Sequence, residues 1–95
     1  MKKVNTTHEI VLGQIVKSKA GRDKDRIFIV VRMVDEEYVL IADGDLRKID
    51  NAKKKKMKHL QKYNIISDEV KSRIENNDKI NNLLLRRELE KLGLI

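Results

Sequence analysis

The chain has no cysteine among its 95 residues. That excludes disulfides, thiolate metal sites and cysteine nucleophile chemistry, and it fits a reducing compartment. A long apolar run is also missing. The longest, Ile27-Phe28-Ile29-Val30-Val31, falls far short of the ~20 residues that cross a bilayer. No apolar stretch after Lys2-Lys3 is long enough for a secretory signal. The expectation is a cytoplasmic chain with no membrane partner. Aromatics are reduced to Phe28, Tyr38 and Tyr63, which argues against a surface that stacks bases on aromatic rings. Phe28 and Tyr38 sit in apolar strands and are expected in the core. Histidine occurs only at positions 8 and 59, and two isolated imidazoles without thiolates make a poor zinc site. There is no nucleophile–base pair, no Gly-rich loop of the NTPase kind and no paired carboxylate on an apolar background. Asp35-Glu36-Glu37 reads as a solvated turn. No catalysis, metal, cofactor or small-molecule substrate is expected.

Charge is what the chain has in abundance. Charged residues make up 39% and apolar residues 40%, enough for one small core beneath a heavily solvated surface. A domain of this size buries only about 60–65% of its unfolded surface. The net charge is +7, and all of the excess lies in residues 1–62, residues 63–95 being neutral. Such asymmetry points to an anionic polymer or surface as partner of the first part.

The apolar pattern divides the chain the same way. Residues 9–17 and 27–34 read as strands around a loop at 18–26. Arg32 argues that Ile27, Ile29, Val31 and Met33 face the core, with Phe28 and Val30 competing for that side. Tyr38–Ala42 reads as a third strand. Asp43-Gly44 is a two-residue hairpin signal with positive φ at both positions, returning as a fourth strand over Leu46–Ile49. The basic run at 53–58 is either a charged linker or a phosphate-tracking arm, and it leads to a short fifth strand at His59-Leu60-Gln61. Closely spaced short strands of this kind suggest a small closed barrel. The period then becomes helical. Ser67 is a cap, with Asp68 and Glu69 at the positive end of the first helix. Asn76-Asn77 interrupts it. Asn77 or Asp78 caps a second helix carrying Ile80, Leu83, Leu84, Leu89 and Leu92, stopped by Gly93. The expected organisation is a flexible segment 1–7, a barrel at 8–62 and a helical extension at 63–95. The apolar stripe of that extension packs on the barrel, folds back on itself or, through residues 67–93, docks a partner protein.

The loop is the central candidate site. Lys17, Lys19, Arg22, Lys24 and Arg26 place five cations in ten positions, interleaved with Asp23 and Asp25. Two readings stand: a solvated turn of local ion pairs, which add little stability, or a grip on phosphates. Gly13-x-Ile15-Val16 followed by Gly21-Arg22-Asp23-Lys24-Asp25-Arg26 resembles the KOW motif of large-subunit ribosomal proteins and transcription elongation factors. Tyr38–Gly44, Leu46-Arg47-Lys48 and the Lys53–Lys58 run ending at His59-Leu60 extend the resemblance over roughly half the chain. It implies an SH3-like barrel that binds structured, ribosomal RNA through its loops. The family commonly has a second glycine where this chain has Asp25. Aspartate tolerates positive φ, but its carboxylate repels a closely approaching phosphate. The expected RNA-binding residues are Lys17, Lys19, Arg22, Lys24, Arg26, Arg47, Lys48, Lys53, Lys54, Lys55, Lys56 and Lys58, with Gly13 and Gly21 shaping the backbone. The alternative is a module that binds RNA polymerase or another protein.

Overall fold

A strand turns successive side chains to opposite sides. Phe28, Ile29 and Val30 are consecutive and all fully buried, so the sheet that holds them is covered on both faces. The computed structural model describes residues 9–94. The N-terminal segment 1–7 and His8 lie outside the described residues. Five strands come first: β1 (Gln14–Ser18), β2 (Ile27–Met33), β3 (Tyr38–Ala42), β4 (Lys53–Lys56) and β5 (Leu60–Ile66). Two helices follow, α1 (Asp68–Glu75) and α2 (Asn82–Lys91). The sheet is antiparallel throughout, in the order β4-β3-β2-β1-β5. The protein is therefore mainly β with a helical C-terminus. Among the described residues no ladder joins β4 to β5, so the sheet is open rather than a closed barrel. No helix among these residues is long and apolar enough to cross a membrane.

The competition between the two sides of β2 has a simple outcome, because both win. Val16, Phe28, Val30, Val39 and Ile41 gather on one face with Ile10, Met57 and Leu60. Ile15, Ile29, Val31 and Ala42 form the other face, covered by Val70 of α1 and Leu85 and Leu89 of α2. The apolar stripe of the C-terminal segment is thus spent largely on the sheet. Each of those three fully buried side chains contributes roughly 1.5–3 kcal/mol. Leu83, which faces away, is exposed.

The strand boundaries move for identifiable reasons. β1 starts only at Gln14, because the chain turns just before it, with Gln14 N–H donating to the Val11 carbonyl (3.1 Å). Leu46–Ile49 is not a strand. The Asp43 carboxylate accepts from the backbone N–H of Asp45 (2.9 Å) and Arg47 (2.8 Å), which makes a wider loop than a two-residue hairpin. Gly44 alone takes positive φ there (+80°). A 3-10 turn, Ile49–Asn51, then leads into β4. The strand that pairs with β3 is the lysine run itself, with Tyr38 opposite Lys56 and Val39 opposite Lys55. It is neither a linker nor an arm. Lysines on an edge strand also oppose edge-to-edge aggregation. β5 is longer than expected and runs past residue 62 alongside β1.

The helix signals hold in part. Ser67 Oγ accepts the Val70 N–H (3.2 Å) as the cap of α1, and Asn77, at φ +60°, ends that helix. The cap of α2 is Asn81 rather than Asn77 or Asp78, its Oδ1 accepting the Leu84 N–H (2.9 Å). Gly93 stops the helix with φ +72°.

Candidate nucleic-acid interface

The loop between β1 and β2 is closed at its neck by backbone bonds. Ser18 N–H donates to the Arg26 carbonyl (3.0 Å), and Asp25 N–H to the Ser18 carbonyl (2.8 Å). Inside it, Lys24 N–H reaches Gly21 and Arg26 N–H reaches Asp23. Gly21 (+85°) and Asp25 (+73°) take the left-handed conformation that the loop demands. Aspartate fills this position at a cost, since only glycine adopts it freely. Asp25→Gly is expected to raise stability by up to about 1 kcal/mol, read by urea denaturation. Gly13 acts elsewhere. It precedes β1 beneath α1, and its carbonyl accepts the Ser67 N–H (2.8 Å).

A buried ion pair holds the loop against β4. Asp23 is only 3% exposed and Lys55 only 7%. Lys55 Nζ donates to Asp23 Oδ1 (3.0 Å) and to the Ala20 carbonyl (2.7 Å). Ser18 Oγ lies 2.9 Å from the same Oδ1 and 3.0 Å from the Ala20 carbonyl, so its single proton serves one at a time. Lys53 Nζ stands 3.7 Å from Asp23 Oδ2, which has no hydrogen-bond partner among the described residues. Burial pushes the Asp23 carboxyl up, but the Lys55 and Ser18 bonds and the two ammonium charges outweigh it and hold it below its ordinary 3.8. Glu88 behaves alike. Burial raises it, and the bonds from Lys91 (2.8 Å) and Ser67 (2.6 Å) more than offset that, leaving it below 4.5. A depressed carboxyl stabilises the fold above its unfolded pKa and loses that contribution as pH falls through its folded value. Stability is therefore expected to be level near neutrality and to decline once pH drops below about 4 to 4.5. Urea midpoints across a pH series check this, and replacing Asp23 or Glu88 by its amide should flatten the decline.

The expected cations do not form one patch. Arg22, Arg47 and Lys53 converge on a depression of about 340 Å³, whose wall also includes Leu46 and the buried Asp23. Lys19 and Lys24 are exposed on the same loop as Arg22, and Lys48 is exposed beside Arg47. None of Lys19, Arg22, Lys24, Arg47 and Lys48 has an ion-pair partner among the described residues. Arg26 is exposed but tied to Asp43 Oδ2 at 3.4 Å. Lys55 departs most from expectation, since its ammonium points inward and anchors the loop. Strand alternation sends Lys54 and Lys56 to the other face, over the Tyr38 ring at 4.8 and 5.7 Å, and Lys56 also meets Glu37 (3.5 Å). Tyr38 is consequently half-buried beneath cations rather than a core residue. Lys17 shares the Ile15 side of β1 and is half-buried. Lys58 is exposed beside Glu36 and Glu37.

Two members of the site escaped sequence reasoning. Leu46, 55% exposed, is an apolar group in the middle of a basic rim. Its one signal was a leucine set among turn residues, Asp43-Gly44-Asp45-Leu46-Arg47-Lys48. The anchoring role of Asp23 had no local signal, because its partner lies 32 residues away.

No family model matches the chain. A comparison with curated proteins finds 31% identity over 72 residues with the protein named "Putative ribosome-binding protein YbzG" of Bacillus subtilis strain 168, covering 76% of this chain and 97% of that one.

Proposed function

Given that the chain belongs to the family of that Bacillus subtilis protein, we propose that it is a non-catalytic, cytoplasmic, ribosome-associated protein that binds structured ribosomal RNA. The observation that carries this reading is the convergence of Arg22, Arg47 and Lys53 on one depression, extended by the exposed cations Lys19, Lys24 and Lys48. Two of the three are arginines, whose planar forks suit phosphate oxygens. Contacts of this kind position a protein on RNA without reading sequence. The aromatics support the same choice. Phe28 is buried, and Tyr38 and Tyr63 are half-buried, which leaves no open platform for stacking single-stranded bases and favours recognition of folded RNA by shape and charge.

The KOW-type, SH3-like architecture belongs to this proposal. The two edge strands, β4 and β5, are separated only by the 3-10 turn Met57–His59. Opposite edges joined by three residues require a sheet that rolls strongly about its first core cluster, to which Met57 and Leu60 contribute. Such rolling supports a small, partly open barrel in which β4 and β5 approach without pairing among the described residues.

The test is sedimentation with ribosomal subunits in a sucrose gradient, followed by a salt titration of affinity for purified ribosomal RNA. Three to six phosphate contacts give a logarithmic salt slope of about −2 to −5. Absence from the ribosomal fractions, together with no affinity for the RNA at low salt, overturns the proposal.

A further inference from the structure

The neutral C-terminal third, on its charge alone, has nothing to offer a polyanion. The geometry points to a different conclusion: we infer that α2 positions the second basic loop, with Arg86 and Asn82 as positioning residues for Arg47 and Lys48. This deepens the proposed function and rests on it.

The loop in question runs from Asp43 to Ile49, and α2 holds it at two places. Near its start, the Arg86 guanidinium donates through Nη1 to the Gly44 carbonyl at 2.6 Å. At its end, the Ile49 N–H donates to Asn82 Oδ1 at 2.7 Å. Neither bond is local, since the partners are 42 and 33 residues apart. The approach is close enough that a Cβ on Gly44 would collide with the Asn82 carbonyl. Leu46, Arg47 and Lys48 lie between the two anchors. Within the loop, the Asp43 carboxylate and the Asp43–Arg47 and Gly44–Arg47 backbone bonds restrain this span, and just past it the Asn51 N–H donates to the Lys48 carbonyl (2.9 Å). A loop held at both ends has given up much of its backbone freedom before binding, so less ordering remains when its cations meet phosphates. Packing fixes the helix in turn, because Leu85 and Leu89 flank Arg86 in sequence and are fully buried against the sheet. The chain from sheet to helix to loop is therefore continuous.

The test compares Arg86→Ala, Arg86→Lys and Asn82→Ala in the full-length protein, with ribosomal RNA as the probe. Arg86→Ala is expected to weaken binding about 3- to 10-fold near 0.1 M salt and to make the salt slope shallower by roughly one contact. Arg86→Lys, which keeps a donor for the Gly44 carbonyl, should recover most of the affinity. In an Arg47→Ala/Lys48→Ala background, Arg86→Ala should cost nothing more, because the cations it positions are gone. Equal loss in both backgrounds would show that Arg86 touches RNA itself and overturns the inference. Amide hydrogen exchange of the free protein reads the loop without RNA. Faster exchange at Arg47 and Ile49 in Arg86→Ala and Asn82→Ala is expected, and unchanged exchange overturns the inference even if RNA binding is normal. Wild-type protein that ignores ribosomal RNA overturns the functional reading first, and the positioning role with it.

Discussion

Replacing Arg22, Arg47 and Lys53 together by alanine is expected to lower affinity for ribosomal RNA by about 10²- to 10³-fold near 0.1 M salt. Each phosphate contact releases counterions and contributes about 0.7–0.9 to the logarithmic salt slope, so each is worth roughly 5- to 8-fold at that ionic strength. The slope itself should become shallower by about 2 to 3 units. The effect is specific to placement. Lys17, Lys54 and Lys56 carry the same total charge, but they sit on strand faces away from the depression. Their triple alanine variant loses only the long-range attraction that salt screens, so its affinity should fall by less than about tenfold. Fluorescence anisotropy on one RNA across a salt series compares the two variants. Equal losses would mean that net charge alone drives binding and that the depression is not a site.

Lys55→Met is expected to cost about 3–5 kcal/mol of stability at neutral pH, because it strands a buried carboxylate. Asp23 loses the Lys55 hydrogen bond and the nearer of its two ammonium charges, keeping only Ser18 Oγ and Lys53 at 3.7 Å, and the Ala20 carbonyl loses its ammonium donor. In a domain of this length that corresponds to a fall in Tm of more than about 10 °C. The neighbours behave differently. Lys54→Met and Lys56→Met remove partly exposed groups whose contacts are a tyrosine ring and a surface carboxylate, and each should cost less than about 1 kcal/mol. The pH dependence carries a second signature. Without Lys55, the Asp23 carboxyl titrates at a higher pH, and once protonated it no longer buries a charge. The stability gap between Lys55→Met and the wild type should therefore narrow on acidification. Adding Asp23→Asn to Lys55→Met should recover part of the loss, since replacing both partners of a buried pair is far cheaper than removing one. Thermal melts of these variants check the set, and a Lys55→Met protein as stable as Lys54→Met would show that the loop is not anchored to β4.

These two expectations depend on information that sits in different places. The apolar, mostly β-branched run at 27–31, the Ser67 cap and the Gly93 stop are local signals, and each specifies its element through interactions between neighbours in the sequence. Gly21 and Asp25 likewise announce a left-handed loop, and both take positive φ. The alternation that sorts four adjacent lysines is also a local property, but it becomes legible only once Lys53–Lys56 is known to be a strand. Nothing local indicates that. Lysine has low strand propensity, and the run forms β4 because β3 offers it a ladder. The shift of the fourth strand from Leu46–Ile49 to Lys53–Lys56 has the same origin. The Asp43 carboxylate and the α2 anchors hold the intervening residues as a loop.

The amino-acid sequence by itself determined the mainly β character of the first two-thirds, the helical end, the placement of all the excess charge in residues 1–62 and the loop that bears Arg22. Each of these follows from side-chain type and short-range spacing, which act between neighbours along the chain. Tertiary structure alone decided which cations face solvent together, why Lys55 does not, and that a helix of the neutral C-terminal third supports a basic loop. Those outcomes come from pairings 32 to 42 residues apart. Burial and charge pairing depend on what packing brings together, and no local pattern of residues encodes that.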